Sequence, residues 1–288
     1  MNEDRARNQE LTLSDGRKLG YADYGDPQAQ PVLYFHGWPG SRLEPLALAH
    51  TANPVRIIAV DRPGYGLSTF KPKRSIVQWP ADIRELAAHL KLDRFYVLGL
   101  SGGGPYALAC AAFMPGHIAG VRLACSMGET DVPGATERMT GHNRQMLALV
   151  RTAPKLTRFL ARIVLWIWRK GNAFLPPGLV ARLPRSDQRC LADPHVHAML
   201  VQNWREALRP GTAGMVWDGS LYAEPWGFSL AEVRVPVRLW HGLADIIVPP
   251  EMGERLAKSL PQCQAFYLSG EGHFSLPLNH MSQILSEL

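Results

Sequence analysis

Ser101 stands in the run Gly99-Leu100-Ser101-Gly102-Gly103. An apolar stretch that reads as a strand, FYVLGLS, precedes it, and a small-residue stretch that reads as a helix, GGPYALACAAFMP, follows. A serine on a strand-to-helix turn with glycine two positions to either side suits acyl transfer. The reason is steric. The serine takes a positive φ so that Oγ projects from the turn, and a Cβ at position 99 or 103 would collide where strand and helix pass. A phosphate-binding loop would carry a lysine or the spacing G-x-G-x-x-G, and neither is present.

A serine hydroxyl is a poor nucleophile near neutral pH and needs a base, which in turn needs an orienting acid. Of the ten histidines, His273 follows the last apolar strand directly, in the glycine-rich loop SGEGHFSL, and is the expected base. His36 and His241 each begin a His-Gly pair at a strand end and read as supports of their loops. His195 and His197, two apart on a predicted helix, face different ways and make a poor metal pair. Asp245, in HGLADIIVP just past the penultimate strand, is the expected acid; Glu129 and Asp131, after the strand VRLACS, are its rivals. The same aspartate could instead serve an Asx turn. Acyl transfer also needs two waiting N–H donors for the developing oxyanion. The expected pair is the backbone amides of Gly102 and of Trp38, the latter in FHGWPGS. Trp38, His36, Leu100 and Phe274 flank these groups and are the expected lining of a substrate pocket. No cofactor and no metal is implied.

The elements that must position these residues can be read from periodicity. LTLSDGRKLGYADYG reads as a hairpin turning at Asp15-Gly16. PVLYFHG, VRIIAVDRPG, FYVLGLS and IAGVRLACS are continuous apolar runs separated by helical stretches, the mark of a parallel sheet covered on both faces. From Asp131 to Ser229 strand patterns vanish. KLTRFLARIVLWIWRK has apolar residues at helical spacing, and Asp193-Pro194 supplies an N-cap with proline at the first helical position. Strands return with VPVRLWHG and QAFYLSG, which flank the helix PEMGERLAKSL, and NHMSQILSEL reads as a closing helix. The expected division is an α/β core of residues 1–130 and 230–288 and a helical insertion of residues 131–229.

The chain has 288 residues, 46% hydrophobic and 19% charged, with a net charge of +6. That composition fits a folded enzyme and excludes disorder. The excess charge is spread over a long chain without zinc-finger spacing or an aromatic-basic motif, which argues against a nucleic-acid partner. The charged start MNEDRARNQE lacks the apolar core of a signal peptide. The most apolar stretch, FLARIVLWIW, is far shorter than the roughly 20 residues that span a bilayer. A cytoplasmic location without an integral membrane segment is therefore expected, with Cys110, Cys125, Cys190 and Cys263 as free buried thiols. Oligomeric state is not readable.

Taken together, HGWPGS, DRPGYGLS (Asp61 to Ser68), GLSGGG, and HGLADIIVP with GEGH resemble the α/β-hydrolase superfamily over nearly the whole chain. The order serine, aspartate, histidine is that of the superfamily. The resemblance implies the α/β-hydrolase fold, with an eight-stranded, mostly parallel sheet, helices on both faces, and a helical lid inserted after the sixth strand. YAEPWGFSL looks like the return from lid to core. The resemblance further implies a structural Asp61 and an Arg62 that shapes the cavity rim. Serine at position 101 argues against dehalogenases and epoxide hydrolases of this fold, which use aspartate. HGWPG in place of HGGPG weakens a proline iminopeptidase assignment. Lactonases and perhydrolases, which often have methionine at the position of Gly102, share the triad. The expected function is a serine hydrolase of a small, largely apolar carboxylic ester. Amide or peptide cleavage, lactone cleavage, perhydrolysis and a non-catalytic ligand-binding role are the alternatives. Between Arg151 and Cys190 there are nine Lys and Arg and one acidic residue, Asp187. Such a lid could attract an anionic substrate or rest on an acidic membrane, or could be a solvated face.

Overall fold

A computed structural model describes residues 6–47, 55–168, 177–286 and 288. Residues 1–5 of the charged start, and Arg169 and Lys170 of the basic stretch, lie outside the described residues, as do the side chains of Val164, Ile167 and Trp168.

Eight strands form one sheet in the order β1-β2-β4-β3-β5-β6-β7-β8. They are β1 (Gln9–Thr12), β2 (Lys18–Gly25), β3 (Pro31–Phe35), β4 (Arg56–Val60), β5 (Phe95–Leu100), β6 (Ile118–Ala124), β7 (Val237–Gly242) and β8 (Cys263–Leu268). The β1–β2 hairpin turns at Gly16, whose φ is +83°, as Asp15-Gly16 predicts. β2 runs antiparallel to β1 and β4, and every other pairing is parallel. The sheet is thus the expected mostly parallel one.

Side-chain alternation splits each central strand between two cores. Leu33, Phe35, Ile58, Val60, Val97, Leu123 and Leu239 face one core, which α1 (Trp79–His89), α2 (Gly104–Phe113) and α9 (Pro250–Ser259) cover through Ile83, Leu108 and Met252. Val32, Tyr34, Ala59, Leu98, Ala124 and Trp240 face the other, covered by Met281 and Ile284 of α10 (Ser275–Ile284). Because both faces are buried, these strands read as unbroken apolar runs. The closing helix starts at Ser275, ahead of the predicted Asn279. Pro277 hid that start, yet proline costs nothing in the first turn, where its missing N–H has no acceptor.

Between β6 and β7 the described chain is helical: α3 (Gly141–Thr152), α4 (Pro154–Trp168), α5 (Pro177–Val180), α6 (Arg185–Ala192), α7 (Pro194–Ala207) and α8 (Ala213–Tyr222). The Asp193 side chain caps α7, accepting from the amides of His195 at 2.8 Å and Val196 at 3.1 Å. No helix among the described residues is long and apolar enough to cross a membrane. All four cysteines are free. Cys110 and Cys125 are buried as expected, while Cys190 and Cys263 are only half-buried.

Parallel strands point their C-terminal ends to one edge of the sheet. The loops after β3, β5, β7 and β8 therefore gather there, where the strand order reverses around β3 and β5. Packing against backbone at this edge is very tight at Gly103, where an added Cβ would lie 2.0 Å from the Phe35 carbonyl oxygen. A backbone neighbour cannot swing away. We predict that Gly103→Ala destabilises the fold by roughly 1–3 kcal/mol, read as a fall of several degrees in Tm. Gly116→Ala, where nothing lies within 4 Å of the new atom, should leave Tm in place. Equal Tm values for the two variants would contradict the packing described.

Candidate active site

β5 ends at Leu100, and Ser101 opens a short 3-10 turn that runs into α2. Ser101 has φ +52°, a left-handed conformation that is uncommon for a residue with a side chain. The turn closes so tightly that a Cβ on Gly99 would lie 2.7 Å from Gly104 Cα. Strand and helix can reverse here only with hydrogen at both positions, which is what the Gly-x-Ser-x-Gly pattern supplies.

His273 hangs from the loop after β8 and meets Ser101, with Nε2 3.0 Å from Oγ. Its Nδ1 lies 2.7 Å from Asp245 Oδ2. A carboxylate can only accept, so the neutral ring carries its proton on Nδ1 and its Nε2 accepts from the serine hydroxyl. Asp245 makes the contacts that both readings of its sequence call for. Its Oδ1 accepts from the Ile247 and Val248 amides, each at 2.9 Å, as an Asx turn, while Oδ2 faces His273. Burial pushes the Asp245 carboxyl up, but the His273 ring and these amides outweigh it and hold its pKa below the usual value. Burial likewise favours neutral His273, yet the Asp245 carboxylate, with Asp187 and Glu44 further off, raises its pKa above 6.5. His241, also facing Asp245, is lowered by burial and bonds through Nε2 to the Val248 carbonyl at 2.8 Å. Asp245, and neither Glu129 nor Asp131, meets the imidazole.

The loop after β3 brings Trp38 against the turn. A Cβ on Gly102 would lie 2.7 Å from Trp38 Cβ and 2.8 Å from Tyr222 Oη, so the two backbones approach closely. Neither the Trp38 nor the Gly102 amide finds an acceptor among the described residues. The peptide carrying the Trp38 N–H is fixed through its carbonyl end: the Gly37 oxygen accepts from Arg62 Nη2 at 2.9 Å and from His36 Nδ1 at 2.9 Å. On the other side, the Gly37 amide donates to Glu44 Oε2 at 2.7 Å. Burial pushes Glu44 up to about 7, against the pull of that amide and of the Tyr34 hydroxyl.

Two expectations change here. His36 was expected in the pocket wall. It is fully buried, and its ring nitrogens are taken by the Gly37 carbonyl and by the Arg62 amide, which donates to Nε2 at 3.1 Å. Burial and the nearby Arg62 hold its pKa well below 6.5, so it braces the loop as a neutral ring. Arg62 was expected at the cavity rim, but is also fully buried. Its Nε pairs with Asp218 Oδ2 at 2.8 Å, and its Nη1 donates to the His36 carbonyl. Asp61 is structural, accepting from the amides of Arg42 at 2.7 Å and Leu67 at 2.9 Å. Leu100 packs into the sheet core beside Leu98 and Tyr34, while Phe274 packs edge-on to His273 and against a cluster containing Leu183 and Leu200. Trp38 is half-buried. Its Nε1 donates to the Met215 carbonyl at 2.8 Å, and its ring lies against Gly219 of α8.

Two buried aspartates from the helical block were not singled out as site residues by sequence. Asp187, on α6, accepts from three consecutive amides of the histidine loop: His273 at 3.0 Å, Phe274 at 3.0 Å and Ser275 at 2.8 Å. It thereby caps α10 from outside, as an N-cap residue would. Asp218, on α8, accepts from Arg62, Tyr65, Tyr106 and Arg74. Burial opposes its charge, but the two guanidiniums prevail and its pKa is strongly lowered. Tyr222 Oη, beside this cluster, donates to the Gly102 carbonyl at 2.7 Å. The only advance signal was Asp187 as a lone acid in a basic stretch. The Cys125 thiol lies within 4.8 Å of the Asp245 and His273 ligating atoms, a metal-capable set by type. However, His273 and Asp245 already hold each other, and burial pushes the thiol further from the thiolate a metal needs.

Comparison with known proteins bears on the fold. The family described as alpha/beta hydrolase fold matches residues 30–279. A probable proline iminopeptidase of Streptomyces coelicolor is 28% identical over 82% of this chain and 71% of its own length. Lipase 1 of Psychrobacter immobilis is 24% identical over 91% of this chain and 77% of its own. Among solved structures, a thermophilic esterase from Thermogutta terrifontis superimposes with a TM-score of 0.69 at 25% identity, covering 97% of this chain and 96% of that one. A family match across most of the chain, joined to the eight-stranded sheet and its serine turn, makes this protein a hydrolase that belongs to the alpha/beta hydrolase fold family.

Proposed function

We propose that the protein is a serine hydrolase of small, largely apolar carboxylic esters. The observation that carries this reading is the continuous chain from Ser101 Oγ through His273, 3.0 Å away, to Asp245, 2.7 Å beyond. Ser101 attacks the ester carbonyl while His273 Nε2 takes the hydroxyl proton. Asp245 holds the ring and stabilises the imidazolium. The oxyanion forms between the Trp38 and Gly102 amides. His273 then protonates the departing alkoxide, leaving an acyl-serine. Water, deprotonated by His273, attacks this ester, and collapse of the second oxyanion returns the proton to Ser101 and frees the acid.

Several features favour a neutral, apolar ester. Trp38, packed against the Gly102 turn, and Phe274, edge-on to His273, put half-buried aromatic rings beside the reacting groups. An aminopeptidase would need a free carboxylate to hold the substrate amine. Glu206 is engaged by Arg42 at 2.7 Å, and Glu224 by Arg151 at 3.1 Å. A methionine at position 102, frequent in the related lactonases and perhydrolases, would strike Trp38 and Tyr222. Ser101 and His273 are each 8% exposed. Residues 131–229 then act as a lid that excludes water during turnover and opens for entry.

Ser101→Ala should fold normally by circular dichroism and lose on the order of 10⁴–10⁶-fold in kcat toward short-chain p-nitrophenyl esters. Uncharged acyl groups should be the best substrates in a panel graded by length and charge. Ester turnover that survives the substitution would remove the nucleophile from the scheme.

The pH profile is a second check. His273 must be neutral to accept a proton, and its folded pKa is raised above 6.5. Activity should therefore be full above that raised pKa and fall as pH drops through it. Glu44, Asp187, His241 and Asp245 also face this ring, and burial pushes Glu44 up to about 7. Asp245→Asn should move the acid limb to lower pH and cut kcat by about 10⁴-fold, as the equivalent change does in a serine protease. A rate that stays flat through acid pH would contradict a histidine base.

A further inference from the structure

We propose that the outer face of α4 seats the protein on an anionic lipid–water interface. Of the nine large apolar residues exposed among the described residues, five lie on this one helix: Leu156, Phe159, Leu160, Ile163 and Trp166. They are between 41% and 61% exposed. At about 100° per residue they fall within an arc of about 120°, a continuous stripe rather than scattered exposure. The opposite side of the helix is accounted for. Leu165 is buried with Tyr65, Ala207 and Leu208, and Thr157 is buried with its hydroxyl turned to the Leu149 and Ala153 carbonyls. The stripe therefore points away from the body of the protein.

The flank of the stripe identifies the partner. Lys155, Arg158 and Arg162 are exposed and follow one another along one edge of it, and α4 contains no acidic residue. Asp187, the single acid of the basic stretch from Arg151 to Cys190, is fully buried and consumed by the amides of the histidine loop. The outer surface here is thus apolar with a purely cationic edge. Such a helix lies in the plane of an interface, apolar side chains among acyl chains and basic ones among anionic headgroups. With 15 residues it is too short to span a bilayer. A second copy fits less well, since a two-fold contact would bring identical basic edges together. The inner face of α4 contributes Leu165 to an apolar cluster against which Trp38 of the proposed oxyanion loop also packs.

The experiment is flotation of the full chain with vesicles of phosphatidylcholine alone and of equal parts phosphatidylcholine and phosphatidylglycerol, with turnover of a water-soluble ester measured in parallel. The expected result is binding to the anionic vesicles, weakened by salt, and at least fivefold less binding to phosphatidylcholine alone. Phe159→Ser with Ile163→Ser should lower anionic-vesicle binding at least fivefold. Lys155→Glu with Arg158→Glu and Arg162→Glu should abolish the anionic preference. Both variants should keep water-soluble ester turnover, which separates docking from the active-site reading. Failure of the unmodified chain to float with anionic vesicles would overturn the proposal. So would binding that ignores vesicle charge, or a dimer in lipid-free size-exclusion chromatography that Phe159→Ser with Ile163→Ser dissociates.

Discussion

The 3.0 Å contact between Ser101 Oγ and His273 Nε2 sets the terms for the surrounding structure. It joins residues from β5 and β8, strands separated in the sheet by β6 and β7. Ser101 does not present its hydroxyl from an ordinary backbone. Ser101 takes a left-handed φ of +52°, which the small residues around it make possible. His273 leaves its loop under the grip of Asp187 on its own amide. Such a contact needs stiff support on both sides, because a displacement of about 1 Å is enough to cost a large share of catalytic rate.

Much of that support comes from the helices between β6 and β7, and it is electrostatic. Asp187 neutralises the amide dipoles at the start of α10. Asp218 neutralises Arg62 and Arg74, and Arg62 in turn fixes the carbonyls of His36 and Gly37. Asn203 of α7 accepts from the Ser41 amide at 2.9 Å, holding the far end of the same loop. Buried charges such as these are costly to strand, since removing one partner leaves the other unpaired in a dry interior. On the proposed reading the helical block is therefore both a cover over the site and the brace of its two sides. Opening for substrate must then leave these inner ties intact and move the outer helices, α3 and α4.

The proposed triad was legible because each of its residues follows an apolar strand and comes within three residues after a glycine, a local pattern with a steric cause. Ser101, Asp245 and His273 all follow apolar runs, and the parallel strand order brings those ends to one edge. The helical block was legible from the loss of strand periodicity after Asp131. Asp187 and Asp218 were not readable in their bracing roles. Their partners lie 86 and 156 residues away in the chain, at His273 and Arg62, and contacts of that range leave no periodic trace. His36 was misplaced for the same reason. A histidine before glycine gives no sign that a distant arginine amide will occupy its second nitrogen. The early start of α10 was masked by Pro277, a breaker in most positions and neutral in the first turn.

On the proposed reading Ser101 alone is activated, by His273, to attack an electrophile. The most direct measurement is reaction of the native protein with a fluorophosphonate, followed by peptide mapping of the adduct by mass spectrometry. One adduct per chain is expected, on the peptide carrying Ser101, and none when His273 is replaced by alanine. An adduct on another residue, or undiminished labelling of Ser101 without His273, would contradict that reading.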